Sequence, residues 1–452
     1  MFFGSMDPGQ RPRRRNKTIM NNTSVNTLRW LLKKLSQWTI ARYRPGIIGI
    51  TGSVGKTSAK IAVQAVLGAE RRVRASRGNL NNDLGMPLTI LGDWSERDLK
   101  LVSRDQPAHT ARARKLFFWC KVIAMSLARI VFVSHNYPEF LVLEYGADRP
   151  GDIKYLLGIA RPNVSVITAV GDVPVHVEFY AGPDEVAREK SRLIEYLPSA
   201  GYAILNADDK REMSLKDRTR AHVMTFGFSK DAEVQIMRFE HRSEHDAAGA
   251  AGRPVGISFK LEYGGSFVPV RLDGVFGKSH AYAAAAGAAV GIVFGSNLVK
   301  ASEALKHYRP AGSRMELVPG VKYTYIIDDT YNASPASMQS ALETLKSFSG
   351  RRRIAVLGDM LEIGVYTLEA HERMGKLAAH ATDILVTVGP RAKFIAEAAR
   401  AAGLGKNKIL SFDTADEARK PVQGLVKKGD LILVKGSHAM ELRKVVEEIK
   451  AF

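Results

Sequence analysis

The chain has 452 residues, of which 45% are hydrophobic and 25% charged, and 66 Lys and Arg residues outnumber 46 Asp and Glu residues. This composition is typical of a globular protein of two or three domains, and the single cysteine, Cys120, excludes a disulfide framework and a cysteine-rich metal site. A formal net charge of +20 favours anionic partners, and because we find no nucleic-acid-binding motif we expect nucleotides, phosphorylated substrates or an anionic membrane surface, and no nucleic acid.

The segment before residue 46 is basic. Its first part, up to about residue 25, contains Arg13, Arg14 and Arg15 among polar residues, and we expect no regular structure there. No apolar stretch of a signal peptide follows these arginines, which predicts a cytoplasmic protein. From Leu28 to about Ile40 apolar residues recur at helical spacing with lysines between them, and this pattern predicts a short amphipathic helix.

Beyond residue 46, short apolar runs alternate with longer helical stretches. Such runs between helices are typical of buried parallel strands, so the fold is predicted to be α/β with a mostly parallel, doubly wound sheet. The predicted strands are Ile47–Thr51, Phe140–Tyr145, Val164–Ala169, Tyr202–Asn206, Tyr325–Asp328, Arg353–Leu357, Ile384–Val388 and Leu431–Lys435.

Two changes of pattern predict the domain organisation. Between about Ala221 and Gly277 apolar and polar residues alternate around glycines, which predicts a small antiparallel excursion, and an Ala-rich helix from His280 to about Phe294 follows. The segment Arg309–Ser313 resembles a linker, so we place a domain boundary near residue 311. The predicted parts are a basic tail with one helix at 1–45, a central α/β domain at 46–311 and a C-terminal Rossmann-like α/β domain at 312–452.

The segment Leu116–Ser134 is strongly apolar and lies within an insertion at about 93–138. Lys121 and Arg129 interrupt it, whereas a membrane-spanning helix needs about 20 largely uncharged residues. We therefore favour a buried helix. The alternative is an interfacial helix that binds a membrane surface.

A glycine-rich segment follows the first predicted strand and precedes a helical stretch. It reads T-G-x-x-G-K-T, with Ile50 where the strict P-loop pattern has its first glycine. In a P-loop, backbone N–H groups face phosphate oxygens at a helix N-terminus, Lys56 would meet the β- and γ-phosphates, and Thr57 would ligate Mg²⁺. The alternative is an ordinary glycine-rich turn. The predicted nucleotide-binding residues here are Gly52, Ser53, Val54, Gly55, Lys56, Thr57 and Ser58.

A nucleotide site with a metal needs hard oxygen ligands. Glu144 ends the second predicted strand, which places a carboxylate at the carboxyl edge of the sheet, where ligands bind. His176 and Lys190 follow the next strand, although a single His or Lys is more often a structural or solvated residue. The residues alone therefore indicate a P-loop nucleotide hydrolase or transferase.

Taken together, the motifs resemble those of the Mur ligases of peptidoglycan synthesis, from about residue 46 to the C-terminus. The resemblance is closest to the branch that adds D-alanyl-D-alanine, which the blocks at 328–338 and 357–364 favour. The motifs are TGSVGKTSAK (51–60), NLNNDLGMPLTIL (79–91), LEYGADRPGDI (143–153), HVEFYAGPDEVAREK (176–190), LNADD (205–209), SRMEL (313–317), DDTYNASPASM (328–338), LGDMLEIG (357–364) and VKGSH (434–438).

The resemblance implies a central ATP-binding P-loop domain, a C-terminal ligase domain and a defined reaction. ATP would phosphorylate the terminal carboxylate of UDP-N-acetylmuramoyl-tripeptide, or of a related acid, and D-alanyl-D-alanine would attack the acyl phosphate. Such chemistry depends on positioning and on charge neutralisation, which a P-loop with two Mg²⁺ ions supplies. The implied enzyme is an ATP-dependent peptide synthase, expected to be monomeric and cytoplasmic, with peripheral membrane association as a further hypothesis.

The resemblance also implies residue roles. Thr57 and Glu144 would hold one metal, Glu144 and His176 a second, and Lys190 matches a lysine that CO₂ carbamylates into an anionic ligand. The remaining roles are Asn81 and Asn82 at the phosphate and substrate, Arg314 and Asp329 at the phosphate and ribose of ATP, and Asn332 with Asp359–Glu362 at the incoming amine. The predicted catalytic residues are Lys56, Asn82, His176 and Lys190.

The sequence departs from the family pattern in three places. Only 48 residues precede Gly49, where the family has an N-terminal UDP-binding domain, so we expect the acceptor to be held differently or to lack UDP. His280–Ala284 replaces an Asn-rich stretch, which alters expected adenine contacts, and Ala169 replaces a common Asn. Two alternatives stay open: a Mur-type ligase acting on another acid and amino acid, and a catalytically silent nucleotide-binding scaffold of cell-wall enzymes.

Overall fold

The computed structural model of the chain describes residues 22–78, 80–102, 112–132, 135–244 and 252–451. Residues 1–21, with Arg13, Arg14 and Arg15, lie outside the described residues, as do Asn79 and Ser134. The expectation of no regular structure up to about residue 25 is wrong for its last residues, because the first helix already begins at Asn22. The described strands form two sheets, and helices pack against each sheet. This architecture confirms the predicted α/β class.

The first sheet has nine strands in the order β2-β3-β1-β4-β5-β6-β7-β8-β9. Strands β2 to β7 pair in parallel, and β8 and β9 add two antiparallel pairs at one edge. The strands are β1 (Gly46–Thr51), β2 (Val73–Ala75), β3 (Phe140–Glu144), β4 (Val164–Ile167), β5 (Tyr202–Asn206), β6 (His222–Gly227), β7 (Val234–Glu244), β8 (Arg253–Tyr263) and β9 (Ser266–Asp273).

Ten helices accompany the described part of this sheet. The fold is doubly wound because each parallel crossover places its helix against one face of the sheet. The helices are α1 (Asn22–Tyr43), α2 (Lys56–Gly68), α3 (Gly85–Leu91), α4 (Glu96–Val102), α5 (Arg112–Val131), α6 (Asp152–Leu157), α7 (Pro183–Glu195), α8 (Lys210–Met213), α9 (Lys278–Val293) and α10 (Leu298–Leu305).

The second sheet has six strands in the order β10-β11-β15-β12-β13-β14, all parallel except β10. Its strands are β10 (Glu316–Gly320), β11 (Thr324–Asp329), β12 (Arg353–Gly358), β13 (Ile384–Val388), β14 (Ile409–Phe412) and β15 (Leu431–Lys435). Its helices are α11 (Pro335–Ser347), α12 (Thr367–Ala381), α13 (Ala392–Ala401), α14 (Ala415–Leu425) and α15 (Arg443–Ile449).

The eight predicted strands are present, and the predicted antiparallel excursion needs a correction. Strand β6 lies inside that segment but pairs in parallel with β5, and β7 continues the sheet by pairing in parallel with β6. The antiparallel strands are therefore an extension of the central sheet. The domain boundary near residue 311 stays a prediction, because backbone contacts join the segments on its two sides. Val275 forms a β-bridge with Glu316, and the Phe276 amide donates to the Met315 carbonyl at 3.0 Å.

The apolar segment forms α5, and its environment corrects the prediction of a buried helix. Phe118 and Val122 are buried in a cluster with Leu32 and Leu35 of α1, whereas Leu116 and Phe117 are largely exposed. One face of α5 is thus buried and the other faces solvent. Among the described helices, none is both long and apolar enough to cross a membrane.

Close packing of α9 on α2 generates a stability prediction. A Cβ atom on Gly287 would lie 2.9 Å from the backbone carbon of Ala62, so Gly287→Ala is expected to lower the free energy of unfolding by about 1–3 kcal/mol, despite the better helix propensity of alanine. Urea denaturation followed by circular dichroism measures the change.

The matched control is Gly424→Ala in α14, where an added Cβ would meet nothing within 4 Å. This substitution is expected to be neutral or to stabilise by at most about 1 kcal/mol. Equal effects of the two substitutions would contradict the close packing of α2 against α9.

Candidate active site

The glycine-rich loop joins the carboxyl end of β1 to the start of α2. Gly52 has φ +147°, and a Cβ atom there would lie 2.1 Å from the Thr168 hydroxyl oxygen, so only glycine fits. Gly55, at φ +88°, precedes the helix without any side-chain cap. The first N–H groups of α2 therefore keep their capacity to donate to an anion.

The end of β4 supports the loop from the other side. The Ser53 amide donates to the Ala169 carbonyl at 2.6 Å, and the Thr168 hydroxyl donates to the carbonyls of Val54 and Thr51. Ala169 contributes through its backbone here, so the absence of an Asn side chain leaves this support intact. The loop is held rigidly in a shape that presents its amides.

Lys56 and Ser53 place polar groups toward the predicted phosphate position. The Lys56 ammonium donates to the Gly52 carbonyl at 2.7 Å, and burial lowers its pKa while the charges of Glu144 and Asp148 oppose that shift. The Ser53 hydroxyl is buried without a hydrogen-bond partner among the described residues. A phosphate oxygen would satisfy both groups, because each can donate to an anion.

Glu144 is the most informative carboxylate in the structure. It is 1% exposed, its Oε1 lies 2.8 Å from Lys60 Nζ, and neither oxygen has hydrogen-bond geometry to a described residue. The contact with Lys60 is thus an ion pair without a well-aligned hydrogen bond. A buried carboxylate with unused lone pairs beside a phosphate loop fits the hard-oxygen preference of Mg²⁺.

Lys60 is a site residue that the sequence analysis missed. It also donates to the Ser76 hydroxyl at 3.1 Å and to the Gly78 carbonyl at 3.0 Å, so it joins α2 to the segment after β2. Its position four residues after Lys56 could have indicated that Lys60 also faces the site, since residues four apart lie on one face of a helix.

Acidic and histidine side chains alone do not form a metal centre in the described part of the chain. Among the described residues no group of three or more His, Cys, Asp and Glu side chains could hold a metal ion. Thr57 is buried, and its hydroxyl accepts a hydrogen bond from Arg314 at 3.3 Å. A Mg²⁺ ion here would therefore need phosphate oxygens and water in addition to Thr57 and Glu144, which is its usual coordination.

His176 contacts two carboxylates. Its Nδ1 is hydrogen-bonded to Glu362 from the loop after β12, its Nε2 lies 3.4 Å from Asp148, and its backbone has φ +67°. The hydrogen bond from His176 lowers the pKa of Glu362. His176 thereby links the two sheets, and its role as a ligand of a second metal stays a prediction.

Lys190 lies on α7 and is buried without a hydrogen bond or ion pair to a described residue. Burial lowers its pKa to about 7, the charge of Lys56 adds to this effect, and Asp148 and Glu189 oppose it. Consequently, in a large fraction of the protein molecules the Lys190 side chain is a neutral amine near pH 7.

Asp148 is the second residue that the sequence analysis missed. Its negative charge opposes the lowering of the pKa values of Lys56 and Lys190, and its Oδ1 lies 3.4 Å from His176 Nε2. It stands four residues after Glu144 in a quoted motif, so its place beyond the carboxyl end of β3 was a signal for it.

Residues of the second sheet complete the site. The Arg314 guanidinium lies 3.7 Å from the ring centroid of Tyr331 and donates to Thr57 of the phosphate loop. Asp329 is buried, pairs with Lys435 at 2.6 Å and accepts from the Met315 amide, and burial raises its pKa although Lys435 opposes the shift. Arg314 thus contacts the phosphate loop, whereas both Asp329 oxygens already have protein partners.

Two of the three predicted asparagines, Asn82 and Asn332, are engaged in local backbone structure through their side chains. The Asn82 side-chain oxygen accepts from the amides of Leu84 and Gly85, which orders the turn into α3. Asn332 is exposed, and its side-chain oxygen accepts from the Ala333 amide at 2.8 Å. Both keep their amide N–H₂ groups as potential donors.

The altered segment near His280 has a structural role. His280 is buried and hydrogen-bonded to Tyr308 and to the Arg314 carbonyl, and burial lowers its pKa to about 4, so it is neutral at pH 7. Tyr282 donates to Asp208 at 2.8 Å. His280 therefore positions the backbone of Arg314.

This combination of fold and site corresponds to a known family. Residues 124–289 match the Mur ligase middle domain, and residues 313–438 match the Mur ligase glutamate ligase domain. The chain belongs to the Mur ligase family, as the sequence motifs predicted.

Two types of relative share most of the length of this chain. The UDP-N-acetylmuramoyl-tripeptide–D-alanyl-D-alanine ligase of Bacillus subtilis is 28% identical over 97% of this chain and 82% of its own length. Crystal structures of MurF from Acinetobacter baumannii (TM-score 0.73, 23% identity, 93% of this chain and 80% of that chain) and of MurF from Thermotoga maritima with ADP (0.72, 24%, 97% and 86%) have the same fold.

The buried pair of Lys60 and Glu144 leads to a second prediction. Lys60→Met leaves the Glu144 carboxylate buried without its ion-pair partner and is expected to destabilise the nucleotide-free protein by about 3–5 kcal/mol. Adding Glu144→Gln removes the unpaired charge and is expected to recover most of this loss. Urea denaturation of the two single variants and the double variant measures the coupling.

The exposed pair of Lys300 and Glu70 is the control. Lys300→Met is expected to leave the urea midpoint nearly unchanged, because exposed ion pairs contribute little to stability. A cost of Lys60→Met as small as that of Lys300→Met would contradict the importance of the buried pair.

Proposed function

We propose that this protein is an ATP-dependent peptide ligase of peptidoglycan precursor synthesis, which couples D-alanyl-D-alanine to the terminal carboxylate of UDP-N-acetylmuramoyl-tripeptide. The observation that carries the proposal is the phosphate loop at the start of α2 beside the buried Glu144 carboxylate, which pairs with Lys60 but has no well-aligned hydrogen bond. Membership of the Mur ligase family and the near full-length similarity to ligases of that name support the choice of substrates.

The first step is phosphoryl transfer from ATP to the acid. A carboxylate oxygen of the acid attacks the γ-phosphorus, the bond to the bridging oxygen breaks, and ADP leaves as the acyl phosphate forms. The loop amides, Lys56 and Arg314 bind and orient the phosphates and offset their charge. Mg²⁺, held by Thr57 and Glu144 with a second ion near Glu144 and His176, would supply further charge neutralisation.

The second step forms the amide. The amine nitrogen attacks the acyl carbon, the carbon–oxygen bond to phosphate breaks, and the nitrogen releases a proton. Asp148 and Glu362, which flank His176, attract the incoming amine in its ammonium form, and this group loses one proton to water before its nitrogen attacks. Asn332 and the loop at 359–362 belong to the part of the chain that forms the second sheet. Asn82 would orient the acid, since its amide N–H₂ group keeps donor capacity.

Lys190 would act as a carbamate. Its neutral amine attacks the carbon of CO₂, an N–C bond forms as one C–O π bond opens onto oxygen, and loss of the N–H proton to water leaves an anionic carbamate. This reaction requires an unprotonated amine, which the lowered pKa of Lys190 provides. The carbamate would place negative charge beside the Lys56 ammonium and the metal.

Removal of dissolved CO₂ is therefore expected to lower the ligation rate by about 10- to 100-fold, because the Lys190 carbamate, which supports the metal site, is lost. Added bicarbonate should restore the rate, and Lys190→Gln should show the low rate with or without it. Lys216→Gln, at an exposed site, is the control and should respond to CO₂ as the unaltered protein does. An unaltered protein indifferent to CO₂ would exclude the carbamate.

Phosphate release from ATP tests the ligase activity itself. With Mg²⁺ and UDP-N-acetylmuramoyl-tripeptide, release is expected to require D-alanyl-D-alanine, and Lys56→Ala is expected to abolish it because the phosphates lose their side-chain cation. Replacing the acceptor by the same muramoyl-tripeptide without UDP shows whether UDP is recognised.

Two other outcomes of this assay would assign a different function. Release with a different acid or amino acid would assign a Mur-type ligase of other specificity. Tight binding of Mg·ATP without release under any of these conditions would contradict the enzyme and favour a nucleotide-binding scaffold. We propose that the protein acts in the cytoplasm as a monomer at the inner face of the membrane.

A further inference from the structure

The outward face of α5 is apolar. Its buried face contains Phe118, Val122 and Ser126, spaced four residues apart, and packs toward α1 and α3. The residues on the opposite side of the helix all have apolar side chains or a thiol and are exposed: Ala113, Leu116, Phe117, Cys120, Ala124, Leu127 and Val131. A surface helix normally has charged residues there, so this face indicates an interaction surface.

The neighbouring helix α1 adds two exposed tryptophans. Its residues Leu32 and Leu35 share a buried cluster with α5, and Tyr43 donates to the Arg129 carbonyl of α5 at 2.6 Å. Trp30 and Trp38 are 59% and 51% exposed. Tryptophan is enriched at the boundary between lipid and water, because its ring is apolar and its N–H group can donate to headgroups.

The charge of the two helices indicates which partner fits this surface. Neither helix contains an acidic residue, and Asp83 and Asp98 neutralise only Arg29 and Lys121. The basic residues of the two helices are Arg29, Lys33, Lys34, Arg42, Arg112, Arg114, Lys115, Lys121 and Arg129. An apolar face flanked by cations complements anionic headgroups and opposes pairing with a second, equally positive copy.

We propose that the outward face of α5, together with the exposed tryptophans of α1, binds the surface of an anionic phospholipid bilayer. The helix lies in the interface with Phe117 and Leu127 among the acyl chains and its lysines and arginines at the headgroups. It does not span the bilayer, since basic residues interrupt it throughout. The proposal is independent of the ligase reaction.

Co-sedimentation of the full chain with vesicles tests this surface. The protein is expected to bind vesicles of phosphatidylglycerol and phosphatidylcholine, to bind vesicles of phosphatidylcholine alone far more weakly, and to dissociate as the salt concentration rises. The double variant Phe117→Glu/Leu127→Glu is expected to lower the partition coefficient by about 10-fold or more, because two charges enter the apolar face. Val299→Glu, at a 61% exposed site on α10, is the control and should bind normally.

Three results would overturn the proposal. These are absence of binding to anionic vesicles, binding that the double variant retains, and a dimer of the unaltered chain that the double variant converts to monomers without any vesicle binding. The last result would assign the face to a second copy. Phosphate release by the double variant without vesicles should be unchanged, so failure of this surface and failure of the ligase activity are distinguishable.

Discussion

The parallel pairing of β1 with both β3 and β4 is the constraint on which the site depends. In this register Ile50 lies opposite Glu144, and Thr51 lies opposite Ile167. The phosphate loop, the Glu144 carboxylate and the Thr168 support are consequently brought to one edge of the sheet, although they are far apart in the chain. A shift of this register would separate the carboxylate from the loop, and no later packing could restore the contact.

Burial of charge at this edge is costly and is offset locally. Glu144 and Lys60 compensate each other in an environment that excludes water, and Lys190, without a described partner, has a lowered pKa instead. Desolvation of an unpaired charge costs several kcal/mol, so such arrangements are typical of functional sites. Stability is therefore coupled to function most strongly at Glu144, where a metal and Lys60 would compete for the same oxygens.

The second sheet contributes to the same site from the opposite side. Arg314 reaches Thr57, Glu362 reaches His176, and a Cβ on Gly364 would lie 3.1 Å from the Glu178 Cβ. Because neither sheet carries the full set of groups, the relative position of the two sheets decides whether the site is complete. A motion between them would thus control access and chemistry together.

The sequence by itself determined the eight buried parallel strands, the glycine loop and the family motifs, because such strands and phosphate loops require local patterns of residues. It missed three short strands at sheet edges, β2, β10 and β14, because partly buried short strands carry little apolar pattern. It also missed the parallel pairing of β6, since strand pairing is not local. Likewise, only the tertiary structure showed that Lys60 pairs with Glu144, that Asp148 lies beside His176 and that one side of α5 is exposed. The apolar pattern of α5 specifies a helix but does not reveal which face the rest of the fold covers, because burial depends on residues distant in the chain.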